Sequence, residues 1–287
     1  MIKNISLEDK SKYPPGLYIV STPIGNLKDI TIRALEVLNG VDIIACEDTR
    51  NSKVLLEKYS ISTKTISYHD FNGEEARPRI INDILNGKSL ALISDAGTPL
   101  ISDPGYKLVK ECVLNNIEVF TIPGSCAAIS ALTVAGCPSD KFHFVGFPPN
   151  KEMAKEEFFS GLKNLQGSII FYESPKRVHE TLKAVQKTMG NLQGCVAREL
   201  TKLFEEKIYG TMEEILNSIK DRTLKGEIVV VLNNPAQISN FESQLEPLVT
   251  EVLKYCSVKD TSSALSKALK INKSEIYDLA LRLKDGA

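Results

Sequence analysis

The stretch SLALISDAGTPLISDPG, residues 89–105, joins an apolar run of strand length to a long polar loop. The loop, SDAGTPLISDPG (94–105), holds two Asp, two Gly and two Pro in twelve residues. Connections in compact α/β units usually take about two to six residues. The stretch therefore predicts a buried strand of an α/β fold, followed by a loop that does more than turn the chain.

Apolar runs alternate with helical patterns on both sides of this stretch. Five such runs precede helices of about ten residues, which predicts βαβ units and a parallel sheet; they are LYIVST (17–22), VDIIACE (41–47), KTISY (64–68), SLALIS (89–94) and EVFTIP (118–123). A second series begins at FHFVGF (142–147). There, FEEKIYGT (204–211) follows CVAREL (195–200) so closely that no helix fits between them, so this sheet is predicted to be mixed.

The 287 residues are predicted to form two domains with an appendage. NNPAQISN (233–240) has the composition of a linker, and no strand pattern follows it. Two short helices capped by Thr261 and Ser274, around a three- or four-residue turn, match helix-turn-helix spacing. The predicted segments are an N-terminal extension (1–14), an α/β domain (15–124), a second α/β domain completing a cleft (125–235) and a helical domain (241–287).

Composition and charge exclude several classes of protein. The N-terminus lacks the apolar core of a signal peptide, and no run of about eighteen apolar residues predicts a membrane span. Six cysteines without a C-x-x-C pair indicate reduced thiols in the cytoplasm, and the three histidines have no ligand spacing, so no metal site is expected. With a formal net charge of −1, any nucleic-acid surface must be a local patch.

Ligands of open α/β sheets bind outside the carboxyl ends of the strands. Five successive strand ends carry small, polar or turn-forming residues, which predicts a binding crevice there: STPIGN (21–26), CEDTR (46–50), YHDFNG (68–73), the loop 94–105 and PGSC (123–126). Neither a dinucleotide fingerprint nor a phosphate-binding P-loop occurs. A ligand with an adenosine part but no phosphates, such as S-adenosylmethionine, fits this pattern.

These motifs, in their order, resemble the ribosomal RNA small subunit methyltransferase I family, within the tetrapyrrole-methylase superfamily. The resemblance covers residues 15–235 and extends to a C-terminal helix-turn-helix; it rests on LYIVSTPIGNLKDITIRALEVL, ACEDTRNSKVLL, ALISDAGTPLISDPG, IPGSCAAISAL, FVGFPP, FYESPKRV and ARELTKLFEE. It implies a two-domain class III methyltransferase fold with S-adenosylmethionine folded into the interdomain cleft. It further implies a cytoplasmic homodimer that methylates the ribose 2′-hydroxyl of a decoding-centre cytidine in 16S ribosomal RNA, which it meets within the small ribosomal subunit.

The resemblance also assigns candidate contacts to the cofactor. Asp95 is expected to accept a hydrogen bond from the methionyl ammonium, and the helix that follows PGSC to offer N–H donors to the carboxylate. The full set is Pro23, Ile24, Ser94, Asp95, Gly97, Thr98, Ser125 and Cys126. Relatives that methylate porphyrin-like rings carry a glycine-rich stretch where this chain has STPIGN, which leaves the contacts of residues 22–26 open.

Methyl transfer to a hydroxyl needs in-line positioning and removal of a proton, so bases and cations at the crevice are the candidates. The predicted catalytic residues are Lys176, Glu47 and His69, with Asp48, Asp70 and Asp103 as further candidate bases. The predicted RNA contacts are Arg50, Arg177, Arg198, Lys267, Lys270 and Lys273. The alternative for each charge is a structural ion pair or a solvated face. Two cations at the helix start after ESP oppose the helix dipole, which predicts a bound anion or a carboxylate partner.

Two other functions stay open at this point. The fold alone would allow a methyltransferase that acts on a tetrapyrrole or another small molecule. A catalytically silent RNA-binding protein on a methylase fold is the second alternative. The helical tail has its own alternative, a packing or dimerisation module without RNA contact.

Overall fold

The computed structural model describes residues 13–235, 241–269 and 271–285. They form two compact units, one with the residues up to Leu162 and Ser168–Asn233, the other with Lys163–Gly167 and the residues from Asn234 onward. Most of the predicted N-terminal extension and Lys270 lie outside the described residues. Both sheets belong to the larger unit, and the domain boundary between residues 124 and 125 stays a prediction.

The first sheet is wholly parallel, with strand order β3-β2-β4-β1-β5. Its strands are β1 Gly16–Val20, β2 Ile43–Cys46, β3 Lys64–Ser67, β4 Ser89–Ile93 and β5 Val119–Ile122. The helices between them are α1 Ile32–Gly40, α2 Thr49–Lys58, α3 Gly73–Leu85 and α4 Tyr106–Leu114. This confirms the parallel sheet, and it brings the five polar strand ends to one edge.

Apolar side chains cover both faces of this sheet, which is why its central strand reads as a continuous apolar run. On one face, Val20 and Ile93 pack with residues of α1 such as Leu38. On the other, Leu90 and Leu92 pack with residues of α3 and α4, such as Ile80, Ile84 and Leu108. All five residues of β4 are buried, so the loop that follows starts from a fixed point.

The second sheet is mixed, as predicted, with strand order β6-β7-β10-β8-β9. Its strands are β6 Phe142–Phe144, β7 Gly167–Glu173, β8 Gln193–Arg198, β9 Glu206–Thr211 and β10 Ile228–Asn234. Strand β8 is antiparallel to both β9 and β10. One face packs against α6 Glu152–Leu162, α7 Val178–Met189 and α8 Met212–Ile219. The other face packs against α5 Ala127–Val134 and against Ile24 of the first half.

The smaller unit contains α9 Phe241–Leu253, α10 Val258–Leu269 and α11 Lys273–Asp285 around a small apolar core. Three residues separate α10 from α11, within the range of helix-turn-helix motifs. The linker prediction is wrong at its start, because Asn233 and Asn234 close β10; residues 236–240 lie outside the described ones.

The two predicted helix caps are wrong, by four positions at α10 and by two at α11. Helix α10 begins at Val258 because Ser257 accepts a hydrogen bond from the Asp260 N–H (3.2 Å), which leaves Thr261 buried inside the helix. Asn272, not Ser274, accepts at the start of α11, from the Ser274 N–H. Each time a second polar residue upstream offers the better-placed oxygen.

Candidate active site

A cavity of about 380 Å³ lies between the polar edge of the first sheet and the adjacent edge of the second. The first half lines it with Ile24, residues 96–98 and 101–103, Cys126 and Ala127. The second half lines it with Phe147, residues 172–175 and 226–229. This volume falls within the range of small-molecule sites, which is about 300–1,000 Å³.

The wall from the first half is built from loops that brace one another. The Thr22 N–H donates to the Gly97 carbonyl (2.8 Å), and the Gly97 N–H donates back to the Thr22 carbonyl (3.1 Å). The Thr98 hydroxyl lies 2.9 Å from the Ser21 hydroxyl and donates to the Ser125 carbonyl (2.9 Å). The loops after β1, β4 and β5 therefore form one connected surface.

Backbone conformation explains the length of the loop 94–105. Gly97 has φ +81°, and a Cβ there would lie 3.3 Å from Ile24 Cγ2, so a side chain would meet both strain and crowding. Leu100 and Ser102 also adopt left-handed φ values of +76° and +65°. These reversals return the chain to the cavity wall, where Ile101, Ser102 and Asp103 lie.

Carboxylates gather at this edge, and their pKa values reflect it. Burial raises the pKa of Asp103 to about 6; the Asp95 charge adds to the effect, and a hydrogen bond from Ser94 opposes it. Burial also raises the pKa of Glu47, with further contributions from the negative charges of Asp103, Asp95 and Asp70. Raised carboxylate pKa values in a cleft are typical of functional sites.

Asp95 holds the start of α2. Its Oδ1 accepts a hydrogen bond from the Asp48 N–H (3.2 Å), and its Oδ2 accepts one from the Asn51 side-chain amide (2.7 Å). Asp48 in turn binds the Arg50 guanidinium at 2.7 Å, and this contact lowers the pKa of Asp48 to about 2. The Arg50 side chain is 89% exposed and open to solvent on its outer side.

His69 lies at the carboxyl end of β3, in a tight turn. Its Nδ1 accepts a hydrogen bond from the Asn72 N–H at 3.2 Å. In the neutral ring, that acceptor role places the proton on Nε2. His69 therefore presents a donor at Nε2 and is poorly placed to act there as a proton acceptor.

The ESPKR segment separates its two cations. The Glu173 side chain is wholly buried, and it accepts hydrogen bonds from the Ser174 N–H (2.7 Å), the Thr181 hydroxyl (2.6 Å) and Arg177 Nη2 (3.0 Å). Arg177 also donates to the Pro148 carbonyl (2.6 Å) and contacts Asn150. Its guanidinium is thus engaged inside the protein. Lys176 is exposed, next to two residues of the cavity wall, Ser174 and Pro175.

Arg198, the remaining predicted RNA contact of the larger unit, does not line the cavity. Arg198 is 17% exposed and donates to Glu206 (3.0 Å) and to the Lys225 carbonyl (3.0 Å), so it too serves inside the protein. Lys267 and Lys273 are exposed on α10 and at the start of α11.

Of the predicted cofactor contacts, Ile24, Gly97, Thr98 and Cys126 line the cavity, whereas Pro23, Ser94, Asp95 and Ser125 are their chain neighbours. The sequence interpretation missed Tyr172, whose hydroxyl accepts a hydrogen bond from the Ala128 N–H (3.2 Å) in the first turn of α5. It also missed Phe147 and residues 226–229. Tyr172 and Phe147 could have been found in the sequence, because they lie at or just after the ends of predicted strands of the second sheet. Residues 226–229 could not, because they lie at the amino end of β10.

Within the described part of the chain, no three His, Cys, Asp or Glu side chains are grouped so that they could hold a metal ion. Nor does any helix there have the length and apolar character needed to cross a bilayer.

Residues 16–216 match the family described as "Tetrapyrrole (Corrin/Porphyrin) Methylases". A curated relative from Mesorhizobium japonicum, named ribosomal RNA small subunit methyltransferase I, is 43% identical over 273 residues, which are 94% of this chain and 93% of that protein. A relative of the same name from Rickettsia prowazekii is 42% identical over 276 residues, 94% of this chain and 97% of that protein.

Solved structures share the fold at much lower identity. A diphthine synthase superposes with a TM-score of 0.61 at 15% identity, covering 79% of this chain and 93% of that chain. A uroporphyrin-III C-methyltransferase from Thermus thermophilus, complexed with S-adenosylhomocysteine, gives a TM-score of 0.53 at 13% identity, covering 76% of this chain and 97% of that chain. These likenesses confirm the α/β methylase fold.

The raised pKa of Asp103 predicts that its charge destabilises the fold. Because the folded-state pKa of about 6 exceeds the ordinary 3.8, the stability that this group contributes at low pH is lost as the pH rises through 6. We expect Asp103→Asn to raise the Tm at pH 7.5 by about 2–4 °C, or about 1 kcal/mol once solvent screening is allowed for. The gain should shrink at pH 4.5.

Scanning calorimetry at both pH values checks this. Asp140→Asn, at an exposed position, is the matched control and should leave the Tm unchanged at both. An equal effect of Asp103→Asn at pH 4.5 and pH 7.5 would contradict the assignment.

Proposed function

We propose that this chain, which belongs to the ribosomal RNA small subunit methyltransferase I family of the tetrapyrrole methylases, methylates the ribose 2′-hydroxyl of a decoding-centre cytidine in 16S ribosomal RNA. Methyltransferases of this family use S-adenosylmethionine. The nucleotide, the position on it and the small ribosomal subunit as the place of reaction are parts of the proposal. So are a homodimeric state and a cytoplasmic location.

The proposed mechanism rests on the position of exposed cations relative to the cavity. The cavity has room for a small molecule, and two exposed cations lie close to its wall residues in the chain or through contacts. Lys176 directly follows Ser174 and Pro175 of the wall, and Arg50 binds Asp48, whose N–H donates to Asp95 next to the wall. A small-molecule cavity near exposed cations suits a methyl donor held inside and an anionic polymer bound outside.

The residues present fit S-adenosylmethionine. Ile24, Ile101 and Phe147 offer apolar walls for an adenosine, and the Asp95 carboxylate, which directly precedes the wall residue Ala96, suits the methionyl ammonium. Helix α5 begins at the cavity wall, where its first N–H groups can receive a carboxylate. When bound there, the cofactor supplies an electrophilic sulfonium methyl group.

The chain's own residues then have two tasks, to orient the ribose and to accept its proton. We assign the proton to the carboxylate pair Glu47 and Asp103, whose raised pKa values make them stronger bases than ordinary carboxylates. Because the two interact, they are treated as one titrating unit. His69, with a donor at Nε2, suits a hydrogen bond to the substrate.

Lys176 is assigned to the developing negative charge on the ribose oxygen. The neighbouring Arg177 is occupied by the buried Glu173, so the outward cation of the pair is Lys176. A cation that meets charge only as it develops lowers the barrier more than it strengthens binding. Phosphates beside the target nucleotide are its second expected partner.

The test is transfer of a labelled methyl group from S-adenosylmethionine to small ribosomal subunits that lack the modification, and to their free 16S RNA. A 2′-O-methyl group blocks alkaline cleavage of the adjoining phosphodiester, so alkaline hydrolysis and mass analysis identify both the position and the base. Label in RNA as an alkali-resistant cytidine dinucleotide supports the proposal. Label only in an added tetrapyrrole, or no label in a cofactor-binding protein, would point to the two alternative functions.

Lys176→Ala should lower the single-turnover rate of methyl transfer by about 10²-fold or more, the usual scale for losing a positioned charge. Cofactor binding should change little. Lys183→Ala, on the exposed side of α7, the helix that follows Lys176, and paired with Glu180, is the control and should keep the wild-type rate. A wild-type rate for Lys176→Ala at saturating RNA would leave Lys176 a plain surface charge.

Asp95→Ala should weaken cofactor binding by about 1.5–3 kcal/mol if the carboxylate pairs with the methionyl ammonium. Titration calorimetry measures this directly. Asn51→Ala helps to separate the two roles of Asp95, since it removes the Asn51 contact but keeps the carboxylate and its bond from the Asp48 N–H. If both variants lose the same affinity, Asp95 positions α2 and does not bind the cofactor.

Replacing Lys267 and Lys273 together by Ala should raise the KM for RNA several-fold and leave cofactor affinity intact. Each phosphate contact contributes about 0.7–0.9 to the slope of log affinity against log salt, so the slope should fall by about 1.4–1.8. Lys58→Ala with Lys110→Ala removes the same charge from exposed sites on α2 and α4. If the two double variants give equal salt slopes, the helical domain (241–287) serves packing and does not contact RNA.

A further inference from the structure

Phe71 is an aromatic side chain with no protein surface over it. It is 99% exposed, more than any other large apolar residue described. A Phe left in water does not gain the free energy that burial of its ring would provide. The whole ring is therefore available for contact with a partner.

The turn that carries Phe71 is held in one shape. The His69 N–H donates to Asn72 Oδ1 (2.9 Å), the Asn72 N–H donates to His69 Nδ1 (3.2 Å), and the Asn72 amide donates to the Ser67 carbonyl (3.1 Å). The Tyr68 N–H donates to the Cys46 carbonyl, which ties the turn to β2. Phe71 is therefore presented by a braced turn, with its ring 6.1 Å from the His69 ring, centroid to centroid.

The turn lies at the polar edge of the first sheet, where the strands have their carboxyl ends. It follows β3, which pairs with β2, and β2 leads directly into Glu47. His69 and Asp70 both influence the pKa of Glu47, so the turn lies close to the carboxylates of the candidate site. A partner seated on Phe71 would reach the same crevice.

The charges around Phe71 determine which chemical group of an RNA can contact its ring. Asp70 precedes it, and Glu74 and Glu75 follow in the first turn of α3. These carboxylates repel phosphate, so a contact here must come through an uncharged group. A nucleobase meets that requirement, because every base offers a flat π face for stacking on an aromatic ring.

Resting on the proposed function, we propose that Phe71 is a stacking platform for an unpaired nucleobase next to the target nucleotide. The braced turn presents the ring, the acidic flank keeps the phosphates away from it, and the exposed cation at Arg50 on the neighbouring strand end receives the backbone. Stacking then fixes the register of the strand, so that one ribose meets Glu47, Asp103 and Lys176.

The test compares Phe71→Ala, Phe71→Leu and Phe71→Trp. By the usual cost of losing one base–aromatic stack, Phe71→Ala should raise the KM for unmethylated small ribosomal subunits by about 5- to 100-fold, with S-adenosylmethionine affinity unchanged. Phe71→Leu keeps apolar volume but loses the π face, so it should resemble the Ala variant. Phe71→Trp should retain the wild-type KM or lower it. Leu114→Ala, at a 72% exposed apolar residue ending α4, is the control and should change nothing.

A salt titration adds a readout that a phosphate contact would move. Stacking is neutral, so Phe71→Ala should weaken binding of a single-stranded cytidine-containing RNA in fluorescence anisotropy without changing the salt slope, whereas Arg50→Ala should reduce that slope. A wild-type KM for Phe71→Ala, or full rescue by Phe71→Leu, would overturn the proposal. If the wild-type protein transfers no methyl group to RNA, the proposed function fails by itself, and the anisotropy series still decides whether Phe71 stacks on a base.

Discussion

Two backbone hydrogen bonds between Thr22 and Gly97 hold the loops on which the rest of the site depends. They join the chain after β1 to the chain after β4, strands that are neighbours in the sheet. Thr98 extends the connection to the chain after β5 through the Ser125 carbonyl. Because these polar groups satisfy one another, the wall keeps its shape without a ligand, and little ordering cost is left for binding.

The ESPKR motif illustrates how one short segment serves both the fold and the chemistry. The buried Glu173 and the half-buried Arg177 form a hydrogen-bonded pair just before α7. Such a pair is weak evidence for stability, since desolvation offsets much of the attraction, but it allows only one arrangement of the turn. Lys176, placed between these residues in sequence, faces outward as a result. Of the two cations in the motif, Arg177 is bound by Glu173, so only Lys176 is left to contact a ligand.

Much of this architecture could be predicted from the sequence, because apolar periodicity and turn residues are local signals. The parallel first sheet, the mixed second sheet and the polar edge all followed from runs such as SLALIS and from the short gap before FEEKIYGT. The role of residues 226–229 could not be predicted, because an antiparallel strand brings its amino end to the site and no pattern in GEIVVV announces that. Ion-pair partners could be predicted only in part. The cations of ESPKR predicted an anion or a carboxylate partner, which Arg177 finds in Glu173. Nothing local to Arg198 indicates that it pairs with Glu206 on the next strand. Helix starts failed by a few residues wherever two polar side chains competed for one cap, as at Ser257 and Thr261.

The strand order has a consequence for how the chain is made. Strand β1 pairs only with β4 and β5, so Gly16 has no partner until Ser89 has been synthesised. At about 5–20 residues per second, an apolar segment that is almost wholly buried in the finished protein waits roughly 4–15 s beyond its own synthesis. During that interval β2 and β3 can pair with each other, but β4, the central strand of the sheet, has not yet been synthesised. On the ribosome, this half can therefore form its sheet only after β4 has been synthesised. This is the same strand that the long loop follows.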